Sequence, residues 1–509
     1  VRPRTLLVLL VVVVALGAFI RFYERDLPSS DERAQRAKKV LDFKKDQVTR
    51  VRLTFGGAGG TGGTTVVLER LPPPRPAKPA AVKLPEALAA PNAADTATPG
   101  DWRIALPLTA PADPAAVDRL LDSLANLEKA RTLDQVAPTE VGLDKPRAVV
   151  ALTLSGQRGE TVLDVGAAVP TGGQAIVAIA GKPQAYVVSD SLLTEVQKQP
   201  GDWRDRQMFH GGRDAVERLA WTIGGGPRVV LARRGDRFWL ESPLADRADR
   251  DQVEKLLSDL AGLTAETFVA SPPAWSSPPS AVLEVVLAGQ PQPFRLELGA
   301  SHPATPAPPE STSLPGAPPE AAGSLTLARV GGTVFETRSP LAETLARPPA
   351  DWRSPQLSGL EVHQVDSAVV RDGKGAFSLT RAGTDWKRGP QTISYLPVSD
   401  LLFAVAEAKA DRLLTPAEAG ALGSGASGGS GAAGAGKPVV SFELKGGGSY
   451  GETITLYPPL AGAVKGVPAR VSGRDTVLLL PEAKLKDIRD RLDAVRAAKP
   501  LPPEKPAKK

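Results

Sequence analysis

Residues 107–127 read P-L-T-A-P-A-D-P-A-A-V-D-R-L-L-D-S-L-A-N-L, and residues 243–263 read P-L-A-D-R-A-D-R-D-Q-V-E-K-L-L-S-D-L-A-G-L. The two stretches align without a gap and share ten of twenty-one positions. Each follows a tryptophan, Trp102 in one and Trp239 in the other. A third, more divergent copy runs from Trp386 through Pro390 and Ser394 to Val398, Leu401, Leu402, Val405 and Ala408. In the first copy Val117, Leu120, Leu121, Leu124 and Leu127 fall at i, i+3, i+4, i+7 and i+10, one apolar face of an α-helix. Asp113 precedes that face with Pro114 next, the order of an N-cap followed by proline at the first helical position. Asp249 and Ser394 hold the matching place, so all three are assigned as structural helix caps.

A repeat of roughly 140 residues is too long for a solenoid unit and suits a small domain. Working outward, each copy is preceded by two short alternating strands, at 48–55 with 65–69, 215–223 with 228–232, and 360–370 with 377–381. Each is followed by two more, at 149–154 with 161–165, 282–287 with 294–298, and 439–444 with 453–456. A further strand and a closing helix end each unit. The expected fold class is α+β: an N-terminal transmembrane helix, then three modules of mostly antiparallel sheet with two helices each. The boundaries are 1–23 for the anchor, 24–42 for a polar juxtamembrane stem, 43–208, 209–358 and 359–496 for the modules, and 497–509 for a basic Pro/Lys tail. Inserts at 71–100, 301–323 and 420–436 are rich in Pro, Ala, Gly, Ser or Thr and are expected to be disordered.

Composition excludes several classes of chemistry. The chain has no cysteine, so disulfides, thiolate catalysis and Cys-based zinc sites are absent. The three histidines, His210, His302 and His363, are too far apart for a zincin motif. Lys and Arg total 62 against 56 Asp and Glu, mostly interleaved, which is a solvated surface and not a nucleic-acid stripe.

Residues 5–20, T-L-L-V-L-L-V-V-V-V-A-L-G-A-F-I, carry no charge and are flanked by Arg2, Arg4 and Arg21. Sixteen helical residues span about 24 Å against a hydrocarbon core near 30 Å, and Phe22 and Tyr23 suit the interface. The reading is one short anchor, with a cleaved signal peptide as the alternative. It predicts a single-pass protein of a bacterial inner membrane with its modules outside the cytoplasm.

No sequence motif declares a reaction. Residues 55–64, F-G-G-A-G-G-T-G-G-T, lack the G-K-[ST] ending of a phosphate loop and read as a hairpin tip. Asp-Trp-Arg or Asp-Trp-Lys recurs at Trp102, Trp203, Trp352 and Trp386. These tryptophans are candidate ligand or packing residues, a carbohydrate platform on the first reading and core anchors with satisfied indole N–H groups on the second. Asp236, Asp246, Asp249 and Asp251 form the nearest approach to an acidic cluster, for which helix capping accounts. No catalytic, cofactor-binding or metal-binding residue is assigned and no cofactor is expected.

The set formed by the apolar N-terminus, K-K-V-L-D-F at 38–43, V-T-R-V-R-L at 48–53, the repeat itself and V-G-L-D-K-P at 141–146 resembles the bacterial membrane-anchored family carrying the domain of unknown function numbered 4340. The resemblance supplies no reaction and no catalytic residue. It implies an extracytoplasmic domain tethered beside the permease of an ABC-type export or gliding-motility-like complex. The anchor, the repeated packing motif and the missing catalytic constellation make the expected function a non-enzymatic binding or scaffold component, with envelope or transporter proteins as partners. Two alternatives stand: an envelope glycan-binding or glycan-cleaving protein using the tryptophan sites, and a passive structural spacer.

Overall fold

The computed structural model describes residues 37–56, 63–71, 102–134, 136–170, 172–269, 278–304, 324–415, 417–418, 437–446, 450–460 and 465–502. The chain divides into two compact units, residues 1–206 and 207–509. The first contains one module and the second contains two.

In the first module the strands are β1 (Val48–Phe55), β2 (Thr64–Arg70), β3 (Trp102–Leu106), β4 (Ala110–Pro111), β5 (Arg131–Asp134), β6 (Ala148–Leu154), β7 (Glu160–Ala168), β8 (Gln174–Ile179) and β9 (Gln184–Ser189). They form one sheet in the order β4-β3-β2-β1-β6-β7-β8-β9-β5, with every pair antiparallel. Helix α1 (Pro114–Ala125) joins β4 to β5, the two opposite edges, so it must cross a face of the sheet. The buried Val117, Leu120, Leu121 and Leu124 are the face it lays down, each contributing about 1.5–3 kcal/mol. A second helix, α2 (Ser191–Val196), buries Leu192, Leu193 and Val196 in the same core.

The second module repeats this order with β10 (Val216–Ile223), β11 (Val229–Arg234), β12 (Arg237–Ser242), β13 (Asp246–Arg247), α3 (Arg250–Ala261), β14 (Thr267–Phe268), β15 (Ala281–Leu287), β16 (Phe294–Pro303), β17 (Ser324–Val330), β18 (Thr333–Thr337) and α4 (Leu341–Leu345). The third does so with β19 (Val365–Asp372), β20 (Gly375–Ala382), β21 (Asp385–Arg388), β22 (Gln391–Ile393), α5 (Tyr395–Ala406), β23 (Arg412–Leu414), β24 (Val440–Gly446), β25 (Tyr450–Leu456), β26 (Val467–Val471), β27 (Val477–Leu480) and α6 (Glu482–Ala497). Even the irregularity is copied: the first strand of each sheet shifts register one residue in, after Val48, Val216 and Val365.

Two backbone ties close each module. The residue after the repeat helix accepts from the segment leading into the first strand, at Val40 N to Leu127 O, Met208 N to Leu263 O and Leu357 N to Ala408 O. At the other end the N-cap N–H of Asp113 donates to Trp203 O, and that of Asp249 to Trp352 O, both at 2.8 Å. In the third module Leu501 N donates to Thr392 O instead.

A third tie uses a side chain. Arg70, Arg233 and Arg381, on the second strand of each sheet, stand across the ladder from Trp102, Phe238 and Trp386. Their guanidinium carbons lie 5.0, 4.8 and 5.4 Å from those rings. Each also donates to a backbone carbonyl of the turn before the first strand: Asp46 O, Arg213 O and Val362 O. One arginine thus joins three non-adjacent segments with its charge held over an aromatic face.

Several expectations are corrected. The anchor at 5–20 lies outside the described residues, and among those described no helix is long and apolar enough to cross a membrane. The expected α+β class is therefore corrected to a mostly antiparallel fold, and neither the N-terminal transmembrane helix nor the single-pass inner-membrane localisation has support among the described residues. What stands is three nine-stranded antiparallel sheets, each with two helices among the described residues. The stem expected to end at residue 42 gives up its last residues to the first core, where Val40 and Leu41 are buried. The insert expected from 301 begins later, because β16 continues to Pro303. The tail expected from 497 includes Pro500 and Leu501, which pair with the edge of the third sheet. The glycine-rich tip at 57–62, residues 72–100, 305–323, 420–436 and 503–509 lie outside the described residues.

Two predictions test these contacts. Arg381→Met removes both the donor to Val362 O and the charge over Trp386. It is expected to destabilise the protein by about 1–3 kcal/mol in urea unfolding, with Arg381→Lys intermediate; equal losses for both variants would contradict the shared-donor account. Asp164 on β7 stands opposite Ala178, and burial pushes its carboxyl above the usual range. At the same place in the second module Glu297 stands opposite Arg329 and is paired with it. A raised folded pKa means that stability is fully present below the unfolded value and is lost as pH rises through the folded one. Asp164→Asn should therefore leave stability unchanged in acid and raise it at neutral pH, and a pH-independent shift in the urea midpoint would sink this reading.

Candidate functional site: the seam between the second and third modules

The four tryptophans singled out from the sequence are all core residues. Trp203, Trp352 and Trp386 are fully buried and Trp102 nearly so. Trp352 meets Trp221 edge to face, with centroids 4.9 Å apart. A buried indole cannot stack on a sugar, so the carbohydrate platform is not available at these positions. The expected hydrogen bonds are also missing: among the described residues the Nε1 atoms of Trp203, Trp352 and Trp386 have no partner. Lys198 Nζ lies 5.5 Å from the Trp203 ring centroid. The closing Asp-Trp-Arg motif serves instead through its backbone, as the acceptor for the helix N-cap.

The caps divide. Asp113 accepts from Ala115 N at 2.9 Å and Asp249 from Gln252 N at 3.0 Å, whereas Ser394 stands at the cap position without a side-chain bond. The pairing of Trp102 with Trp239 is displaced by one residue in space. Ala112 N donates to Trp102 O, and its counterpart Ala248 N donates to Phe238 O. Phe238 therefore fills the tryptophan's place. Strand alternation turns Trp239 to the other face, where its ring lies 3.6 Å from the position a Cβ on Gly473 would take.

That displaced ring marks a seam that sequence reading missed. Asp246, assigned above to a capping cluster, is fully buried and paired with the equally buried Arg474. Thr476 Oγ1 donates to its other oxygen. Arg474 also donates to Gln356 O at 2.9 Å and Ser354 O at 2.6 Å. Beside it, Arg247 reaches Glu452 at 3.4 Å and donates to Gln356 O. The Glu452 carboxylate in turn accepts from Ser358 Oγ and from Gly359 N. A main-chain bond, Asp475 N to Ala245 O at 3.1 Å, crosses the same seam.

Each acid is answered by a guanidinium and by neutral donors, the condition under which buried charge is tolerated. None of this belongs to the shared plan. The first module has Ala110 and Pro111 where the second has Asp246 and Arg247, and the second has Phe294 where the third has Glu452. The available signal was a pair of charges replacing A-P in an otherwise aligned stretch.

Beside the network opens a cleft of ≈ 900 Å³. Phe238, Val253, Leu257, Leu360 and Val362 give it an apolar lining, and Tyr395 and Phe403 of α5 stand at its side. Charged residues span its mouth: Arg250 meets Glu361 at 3.1 Å, and Arg237 donates to Gln364 Oε1 at 3.0 Å. The hydrogen bond from Arg250 to Glu254 raises the guanidinium pKa further, with Glu361 adding to it. The Arg250–Glu361 contact is an exposed ion pair, of a kind that contributes about 0–1 kcal/mol, whereas the Arg237–Gln364 bond is partly buried. Among the described residues no group of three or more His, Asp or Glu could hold a metal ion. His302 pairs with Glu336 and His363 with Glu361, on separate surfaces.

Removing one member of the buried network leaves the other charge without its partner. Asp246→Ala or Glu452→Ala is expected to lower the unfolding free energy of residues 207–509 by about 3–5 kcal/mol. Asp113→Ala, a cap in the first unit, should cost about 1 kcal/mol. Denaturant unfolding followed by hydrogen exchange on each unit reads both, and similar small losses for all three would contradict the seam.

A domain of unknown function, DUF4340, matches residues 102–281 of the 509. The match runs from the first residue of β3 to the first residue of β15, so it takes in parts of two modules and is out of phase with the sheets. No curated protein and no solved structure matches the chain.

Proposed function

We propose that this chain is a binding or scaffold protein and not an enzyme, and that the cleft between its second and third modules receives a segment of a partner protein. The observation that carries this reading is the location of the unshared residues. What the three modules have in common is spent on closing each sheet over its helix. What sets the second and third apart is a buried polar network that holds them together beside an apolar, charge-rimmed cleft of ≈ 900 Å³. A cleft of that size with an apolar lining and a few polar groups suits a ligand chain of several residues. The partner class implied by resemblance, a component of an export or gliding-motility-like complex, enters on that support alone.

The test is photo-crosslinking in the native cell. A photoreactive residue replaces His363 on the cleft rim, and in a second protein it replaces Asp122, which is exposed on α1 of the first module. One discrete polypeptide adduct at 363, absent at 122 and lost when Leu360 in the cleft is replaced by Arg, is the expected result. No adduct at 363, or the same pattern at both positions, would refute the proposal.

A further inference from the structure

The three repeat helices share one frame of twelve residues, which turns them into internal controls for each other. On α1 and α3 the outward positions are polar, small or proline. On α5 they are not. Leu396 stands where the copies have Ala115 and Asp251, and Phe403 where they have Asp122 and Ser258. Leu396 is 67% exposed, Phe403 51% and Tyr395 37%. The charge on this stripe is reversed as well. Asp400 replaces Arg119 and Lys255, and Glu407 replaces Asn126 and Gly262.

Leu396, Asp400, Phe403 and Glu407 fall at i, i+4, i+7 and i+11, one line along the helix. Neither carboxylate has a hydrogen bond or ion pair with a described residue, although Arg491 donates to the backbone oxygen of Asp400. Tyr395, Phe403 and Glu407 also border the cleft.

We infer that this stripe docks a basic amphipathic helix of a partner protein, its apolar side chains on Leu396 and Phe403 and its Lys or Arg residues against Asp400 and Glu407. The inference rests on the binding role proposed above and names the chemistry of the segment. Apolar residues alternating with unpaired acids at helical spacing complement a helix with apolar residues and bases at the same spacing. The same carboxylates repel anionic lipid and nucleic-acid backbones.

The test uses the full chain and two labelled helical peptides with identical leucine faces, one carrying lysine and one glutamate, read by fluorescence anisotropy. The lysine peptide should bind at least about tenfold tighter than the glutamate peptide, with the gap narrowing as salt rises. Leu396→Asp with Phe403→Ser, the residues of the second module, should weaken it by about tenfold. Asp400→Lys with Glu407→Lys should reverse the preference. If the apolar pair of changes unfolds the module by circular dichroism, the charge pair decides alone. Equal binding of both peptides, or of neither, overturns the inference. A dimer in analytical ultracentrifugation that the same changes dissolve would assign the stripe to a second copy and overturn it too. An adduct at 363 without peptide preference leaves the binding role standing, whereas loss of both removes the two together.

Discussion

Each module depends on the burial of one helix face under a sheet whose two edges that helix connects. Because β4 and β5 lie at opposite ends of the strand order and only α1 joins them, the helix has no route except across the sheet. Val117, Leu120, Leu121 and Leu124 must then be apolar, and so must Val253, Leu256, Leu257 and Leu260 in the second module. The remaining shared features hold that crossing in place. In the first two modules the N-cap N–H is taken by a tryptophan carbonyl; in all three the helix end is tied to the entering chain and an arginine pins the second strand to the turn before the first. The motif that recurs in the sequence is thus a closure device, which explains why its aspartates and tryptophans have no free surface chemistry.

Much of this was legible from residues alone, for reasons that can be named. Long apolar periodicities survive divergence, so α1, α3 and α5 start beside the cap residues Asp113, Asp249 and Ser394 as the pattern requires. Strand β1 matches its expected bounds, 48–55, because alternation over eight residues is a strong signal. The two-residue strands β4 and β13 are too short to have a period. The strand before the last in each module, β8, β17 and β26, was not expected; Pro468 breaks the signal of β26, but β8 and β17 carry no such break. The arginine and aromatic pairs Arg70 with Trp102 and Arg381 with Trp386 are cross-strand contacts, and nothing local in the sequence announces them. Trp239 lies four residues before Pro243, whereas Trp102 lies five before Pro107, so the gapless frame itself puts Phe238 and not Trp239 in the core position, and both modules carry the same register shift beyond it.

The seam was illegible for a different physical reason. Charged residues in a sequence are read as solvated, because burying an unpaired charge is prohibitive. Asp246 and Arg474 are 228 positions apart and Arg247 and Glu452 are 205 apart. Only the fold brings them together, and only together are they tolerated. Such pairs add less to stability than to the choice of one geometry, since an apolar seam could slide while this one satisfies its charges in a single arrangement. That fixed arrangement is what gives the neighbouring cleft and the α5 stripe a constant relation to each other.

The claim that the second and third modules act as one body is tested most directly by native-state hydrogen exchange on the amide of Asp475, whose bond to Ala245 O crosses the seam. If the account is right, this amide opens only with the global unfolding of residues 207–509, at the same free energy as amides of β19 and β24 in the core sheet. Exchange of the Asp475 amide through a low-energy opening, while β19 and β24 stay protected, would show two independent modules and contradict it.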